Sequence, residues 1–131
     1  MPQECSPTRE TVIRTIAEKG GVALVIGGSD TGKTEFCKEL LRTVLLSARS
    51  AAWLDADIGQ STLGPPTTVG MRLLQTAWDI ENEHHPTALQ FVGSTSPEGY
   101  VTPLLEGIRR LLDISRRSNP WVTVIDTTGL A

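Results

Sequence analysis

The sequence predicts an α/β domain whose sheet is mainly parallel. Three observations carry this: short apolar runs almost free of charge at residues 22–26, 51–54, 89–92 and 121–125; helical periodicity in segments between them; and polar loops directly after each run. Runs of that kind mark strands covered on both faces. Strands alternating with helices assemble into a sheet carrying helices on its faces. Connections between such parallel strands should be right-handed crossovers. With 131 residues, the chain is expected to form one domain over residues 1–131.

The elements follow in order. Ser6-Pro7 is a start signal, and Val12, Ile13 and Ile16 recur at near-helical spacing over residues 8–19 until Gly20-Gly21 ends the helix. Residues 22–26 form the first strand, read as buried on both faces. Residues 32–49 form a helix, with Phe36, Leu40, Leu41, Val44 and Leu45 on one stripe. The second strand covers residues 51–54, and Asp55 begins the loop at its end. Residues 59–70 hold three glycines and two prolines and read as a shaped loop; 69–80 are ambiguous and 81–86 a polar connection. After the third strand, Val101, Leu104, Leu105, Ile108, Leu111 and Leu112 share one face of a helix reaching about Ser118. The fourth strand, 121–125, leads into Asp126-Thr127-Thr128-Gly129. Ligands of such sheets bind beyond the carboxyl ends of the strands, and the four polar loops should converge on that edge.

Composition narrows the function classes. A formal net charge of −3 gives no overall basic footprint of the kind nucleic-acid binders usually carry. Arg109-Arg110 and Arg116-Arg117 are the candidates for a local basic groove, with a solvated helix face as the plainer reading. Cys5 and Cys37 make neither a disulfide framework nor a metal-ligand spacing. No apolar run has signal-peptide or transmembrane character, so no membrane partner and a cytoplasmic location are expected. His84 and His85 have no acids at ligand spacing and read as a surface loop. Trp53, Trp78 and Trp121 read as core or sheet-packing residues, with stacking on a base as the alternative for one of them.

Gly27-Gly28-Ser29-Asp30-Thr31-Gly32-Lys33-Thr34 fits G-x-x-x-x-G-K-[ST] completely, after a strand and before a helix. Glycines let the main chain wrap a phosphate with successive N–H groups pointing inward. The helix beginning near Lys33 turns its positive end toward the same anion, and Glu35 lies in its first turn. Lys33 would bridge the β- and γ-phosphates, and the Thr34 hydroxyl would ligate Mg²⁺. The expected fold is therefore the P-loop NTPase three-layer sandwich. About four strands are visible, which suggests the N-terminal part of a longer protein.

Two further motifs supply carboxylates. Asp55-Ala56-Asp57-Ile58-Gly59-Gln60 sets two acids just past a buried strand, and spacing of two places both side chains on one side of an extended backbone. Beside the phosphate loop they could hold Mg²⁺ through water, and one could take a proton from an attacking hydroxyl. Gln60 is placed to orient a water or a substrate hydroxyl. Asp126, after an apolar strand and before a glycine turn, is a second metal-side candidate.

Together these motifs resemble the polynucleotide 5′-hydroxyl-kinase family, which includes the kinase-like subunit of the mRNA 3′-end cleavage factor and the nucleolar pre-rRNA-processing kinase. Gly27 to Thr34, with Asp30 at the fourth position, is similar to that family's phosphate loop. Residues 55–60 match its D-x-D-x-G-Q signature, and Gly64-Pro65-Pro66-Thr67 is similar as well. Phe91-Val92-Gly93-Ser94-Thr95-Ser96-Pro97 resembles its aromatic-x-G-x-x-S-P segment. The resemblance implies transfer of the ATP γ-phosphate to a 5′-hydroxyl of RNA or DNA. It gives Lys33 and Thr34 the phosphates and Mg²⁺, and Asp55 or Asp57 the role of metal-side acid or general base. Ser94, Ser96 and Thr128 fall on the substrate side. The family's clasp reads T-x-G-W, whereas this chain has Thr127-Thr128-Gly129-Leu130.

The residues alone leave two other readings open: a regulatory ATPase or GTPase switch of the related class, and a nucleotide-binding scaffold. Lys19, Lys33 and Lys38 are the only lysines, and none belongs to an N-K-x-D guanine-reading motif, so ATP is preferred over GTP.

Overall fold

A computed structural model of the chain describes residues 8–27, 32–59, 63–82 and 86–127. Helix α1 (Arg9–Lys19) opens at Thr8, whose side chain accepts the N–H of Thr11, a cap worth about 1 kcal/mol. It ends at Gly20, whose φ of 74° suits glycine, and a Cβ there would lie 2.8 Å from the Trp121 ring. That ring is fixed in turn, since its Nε1 donates to the Ala17 carbonyl at 2.7 Å and the Arg49 guanidinium stacks on it at 3.9 Å. Strand β1 (Gly21–Val25) follows, then α2 (Lys33–Leu46) and β2 (Ala51–Ala56). Next come β3 (Thr68–Leu74), the short α3 (Trp78–Asn82), β4 (Ala88–Phe91), α4 (Val101–Arg117) and β5 (Val122–Thr127).

The sheet has five strands in the order β1-β5-β2-β3-β4. β1, β5 and β2 pair in parallel, and β3 runs antiparallel to both β2 and β4. Two of the four pairings are therefore antiparallel, but only β3 reverses direction. The carboxyl ends of β1, β5, β2 and β4 share one edge, as the sequence led us to expect.

β3 is the strand the sequence did not reveal. Gly70 and Arg72 interrupt its apolar pattern, yet every residue from Thr68 to Leu74 is buried except the half-buried Leu73. Arg72 can be buried because its guanidinium donates to the Asp79 carbonyl and pairs with the Asp79 carboxylate at 3.9 Å. β2 is also longer than expected. Asp55 lies within it, opposite Gly70 on one side and Asp126 on the other.

Two apolar cores flank the sheet. On one face α2 packs on β5 and β2, with α1 against α2. Leu40, Leu41, Val44 and Leu45 are buried there as their spacing predicted, joined by Cys37, Trp53 and Leu63. Each large aliphatic side chain so buried contributes about 1.5–3 kcal/mol. On the other face α4 covers β2, β3 and β4 through Leu104, Gly107, Leu111 and Ser115. Val101 and Leu105, assigned from periodicity to the buried face, are instead exposed.

β1 departs from expectation as well. It lies at the end of the sheet, α4 does not extend over it, and Val22, Leu24 and Ile26 are 56%, 57% and 72% exposed. An apolar run free of charge predicts burial on both faces; here only Ala23 and Val25 turn toward the α2 side. Trp53 is fully buried, whereas Trp78 is 57% exposed and so is not a core residue. No helix among the described residues is long and apolar enough to cross a membrane.

Candidate functional site

The site lies where β1, β5 and β2 end and α2 begins. Gly32, in the left-handed region at φ 80°, starts α2 and offers no side chain to its first-turn N–H groups. An oxyanion in front of the helix would meet those donors and the positive end of the helix dipole. Gly28, Ser29, Asp30 and Thr31 lie outside the described residues. Gly27, Gly32, Lys33 and Thr34 stand where a phosphate loop requires them, and Glu35 is exposed in the first turn.

Lys33 reaches across to the other strands. Its Nζ donates to the Thr127 carbonyl at 2.7 Å and to Asp126 Oδ1 at 3.5 Å, and lies 3.9 Å from Asp57 Oδ2. The Thr34 hydroxyl donates to the other Asp126 oxygen at 2.9 Å. Neighbouring side chains of the G-K-T segment thus both meet the acid at the end of β5. Thr127 closes the arrangement, its hydroxyl donating to the Val25 carbonyl at 2.7 Å and joining β5 to the last residue of β1. The motif around Asp126 was legible in the sequence, but nothing there indicated that a main-chain carbonyl would anchor the lysine.

The two acids of D-x-D differ in position. Asp57 is half-buried beside Lys33. Asp55 is 1% exposed, and its oxygens accept the N–H groups of Asp57 and Leu63, each at 3.1 Å. Burial pushes the Asp126 carboxyl above the ordinary carboxylate value; Asp57 adds to this, while the Thr34 hydroxyl and Lys33 oppose it.

The loop after β4 meets the D-x-D-x-G-Q turn, since a Cβ on Gly59 would stand 2.9 Å from the Thr95 carbonyl oxygen. Ser94 Oγ accepts the Ser96 N–H, and Ser96 Oγ accepts the Glu98 N–H, so both hydroxyls shape the turn that leads into α4. Gln60, Thr128, His84 and His85 lie outside the described residues. A cavity of about 640 Å³ extends from Gly32, Lys33 and Phe36 along α1 and the open side of β1.

The donor set suits a hard divalent cation such as Mg²⁺. The Thr34 hydroxyl and the Asp126 carboxylate are adjacent oxygens, and Asp57 also lies within 3.9 Å of Lys33. No cluster of three acidic, histidine or cysteine side chains able to hold a metal occurs among the described residues. Two protein oxygens completed by water and phosphate oxygens are the usual coordination for Mg²⁺.

This fold and loop define a P-loop nucleotide-binding domain. Residues 27–131 match the family described as the P-loop of mRNA cleavage and polyadenylation factor CLP1, and the chain belongs to that family. A polyribonucleotide 5′-hydroxyl-kinase of Pyrococcus furiosus is 34% identical over 107 residues, which cover 82% of this chain and 30% of that protein. One of Thermococcus kodakarensis is 30% identical over 129 residues, covering 97% and 36%. A CLP1 homologue of Aedes aegypti is 28% identical over 131 residues, covering 89% and 31%. The chain therefore spans between 30% and 36% of the length of these relatives.

Proposed function

We propose that this domain binds ATP with Mg²⁺ and, within the full-length protein, transfers the γ-phosphate to the 5′-hydroxyl of a polynucleotide, RNA in the first instance. The observation that carries the reading is the grouping of Lys33 and Thr34 at the start of α2 with Asp126 and Asp57 at the ends of β5 and β2. Phosphoryl transfer asks a protein chiefly for positioning and charge compensation. Lys33 would follow the charge of the transferring group, while Thr34 and Asp126 would hold the metal side. Asp57 would accept the proton of an attacking hydroxyl, a role that its position beside Lys33 supports. The names of the relatives point to the same reaction. A cytoplasmic location belongs to this proposal and would follow that of the RNA substrate.

Full-length protein incubated with γ-labelled ATP and a 5′-hydroxyl oligoribonucleotide tests it. Label on the oligonucleotide, abolished by Lys33→Ala, supports the kinase. A regulatory ATPase or GTPase is the competing reading, favoured by Leu130 where the clasp of the resembling family has Trp. It would release free phosphate and leave the oligonucleotide unlabelled.

A further inference from the structure

We propose that Asp55 is a positioning residue: its carboxylate holds the turn that presents Asp57 to Lys33, and the chemistry at that corner falls to Asp57. The inference rests on the kinase reading for its catalytic consequence but not for its structural content.

Asp55 sits inside β2, paired on both sides by β3 and β5, so its backbone is among the most constrained in the sheet. Its Oδ1 accepts the N–H of Asp57 and its Oδ2 the N–H of Leu63, each at 3.1 Å. One carboxylate therefore bridges the two ends of the segment from 57 to 63. The far end is anchored, because Leu63 is 1% exposed within the core formed by α2, β2 and β5. The residues next to Asp57 are held twice more: the Ile58 carbonyl accepts the Thr67 N–H at 3.0 Å, and Gly59 lies against the Thr95 carbonyl. At the near end Asp57 stands 3.9 Å from Lys33.

The two aspartates thus divide the labour. Asp55 is aimed at main-chain donors of its own loop and Asp57 at the catalytic lysine. Replacing Asp55 by Asn keeps its size but turns one acceptor into an NH₂ group, which must then face a backbone N–H. One end of the turn is released and Asp57 loses its fixed position.

The experiment uses full-length protein carrying D55N, D57N or D55E, with ATP and MgCl₂ as probes. Amide hydrogen exchange across residues 57–63 is read first, because it needs no activity. D55N is expected to remove protection at Leu63, D57N to retain it, and D55E, which keeps both acceptor oxygens, to restore part of it. D55N should lower kcat about 10²-fold, the usual effect of a misplaced catalytic group, with half-saturating Mg²⁺ and the KM for ATP within about two-fold of wild type. D55E should recover part of kcat, and it also serves as the variant if D55N does not fold. The proposal is overturned if D55N leaves Leu63 protected, or if it raises half-saturating Mg²⁺ ten-fold or more, the mark of a metal-side ligand. Should wild-type protein label no oligonucleotide, the kinase reading fails alone, and the exchange comparison still decides the role of Asp55.

Discussion

Gly59 and Thr95 lie so close that a methyl group on the first would stand 2.9 Å from the carbonyl oxygen of the second. They belong to different segments, the turn after β2 and the turn after β4, so this approach sets the distance between the D-x-D-x-G-Q and F-x-G-x-x-S-P motifs. The neighbour is main chain and cannot swing aside. Gly59→Ala should therefore separate the two turns and displace Asp57. We expect phosphoryl transfer by full-length protein to fall by about 10–100-fold while the affinity for ATP changes little. Parallel titration calorimetry and transfer kinetics check this; unchanged kcat in Gly59→Ala would show that the spacing is irrelevant.

Where the physical cause of an element was local, it could be read from the sequence. The strand–glycine loop–helix unit is written in consecutive residues, as is the α2 stripe from Leu40 to Leu45. That four strands turn their carboxyl ends to one edge also followed, because three run in parallel and β4 regains their direction. Features set by distant partners did not show. β3 was hidden because the burial of Arg72 draws on Asp79, which lies on the helix after the strand. The exposure of Val22, Leu24 and Ile26 depends on where α4 ends across the sheet, which their composition cannot express. At the site, the sequence named Asp55 and Asp57 together; that their carboxylates meet different partners shows only in the main-chain N–H groups bonded to Asp55 and the approach of Asp57 to Lys33.

Cys37 is fully buried on the first turns of α2, directly behind Lys33. Burial, more than any other influence, pushes its thiol well above the ordinary value; Asp126 and Asp55 add to this and Lys33 opposes it. The thiolate is the reactive species. Cys37 should therefore resist iodoacetamide in native protein at pH 8 and react fully in denaturant, as read by peptide mass mapping that separates it from Cys5. Rapid native labelling at Cys37 would contradict this burial.

Asp79 offers a pH-dependent test of the connection between β3 and α3. The N–H groups of Thr76 and Gln75 hold its carboxyl below the ordinary carboxylate value, and Arg72 contributes. A carboxylate whose pKa is lowered by folding adds stability above its unfolded pKa, and this is lost as pH falls through the folded value. Asp79→Ala should cost about 1 kcal/mol at pH 7, in line with the loss of a capping acceptor. The gap from wild type should close as the pH is lowered through and below the usual carboxylate range. Denaturant melts at a series of pH values measure it, and a gap constant down to pH 2 would reject the assignment.

Asp126 sets stability against function. Its carboxylate is 1% exposed, and burial disfavours its ionised form despite the Thr34 hydroxyl and Lys33. A cost of this kind is what a charge serving a ligand would show, and a substitution at Asp126 tests it. Asp126→Asn keeps an acceptor for the Thr34 hydroxyl and removes the buried charge. The ligand-free melting temperature should therefore be equal to or above that of wild type. A ligand that binds only the native state stabilises it by an amount that grows with the logarithm of its concentration over Kd, about 2.7 kcal/mol at a hundred times Kd, and raises the melting temperature accordingly. That increment, measured by thermal melts with and without ATP and MgCl₂, should largely vanish in Asp126→Asn. A variant destabilised without ligand but still fully stabilised by ATP and MgCl₂ would make Asp126 a structural residue and remove it from the metal side of the site.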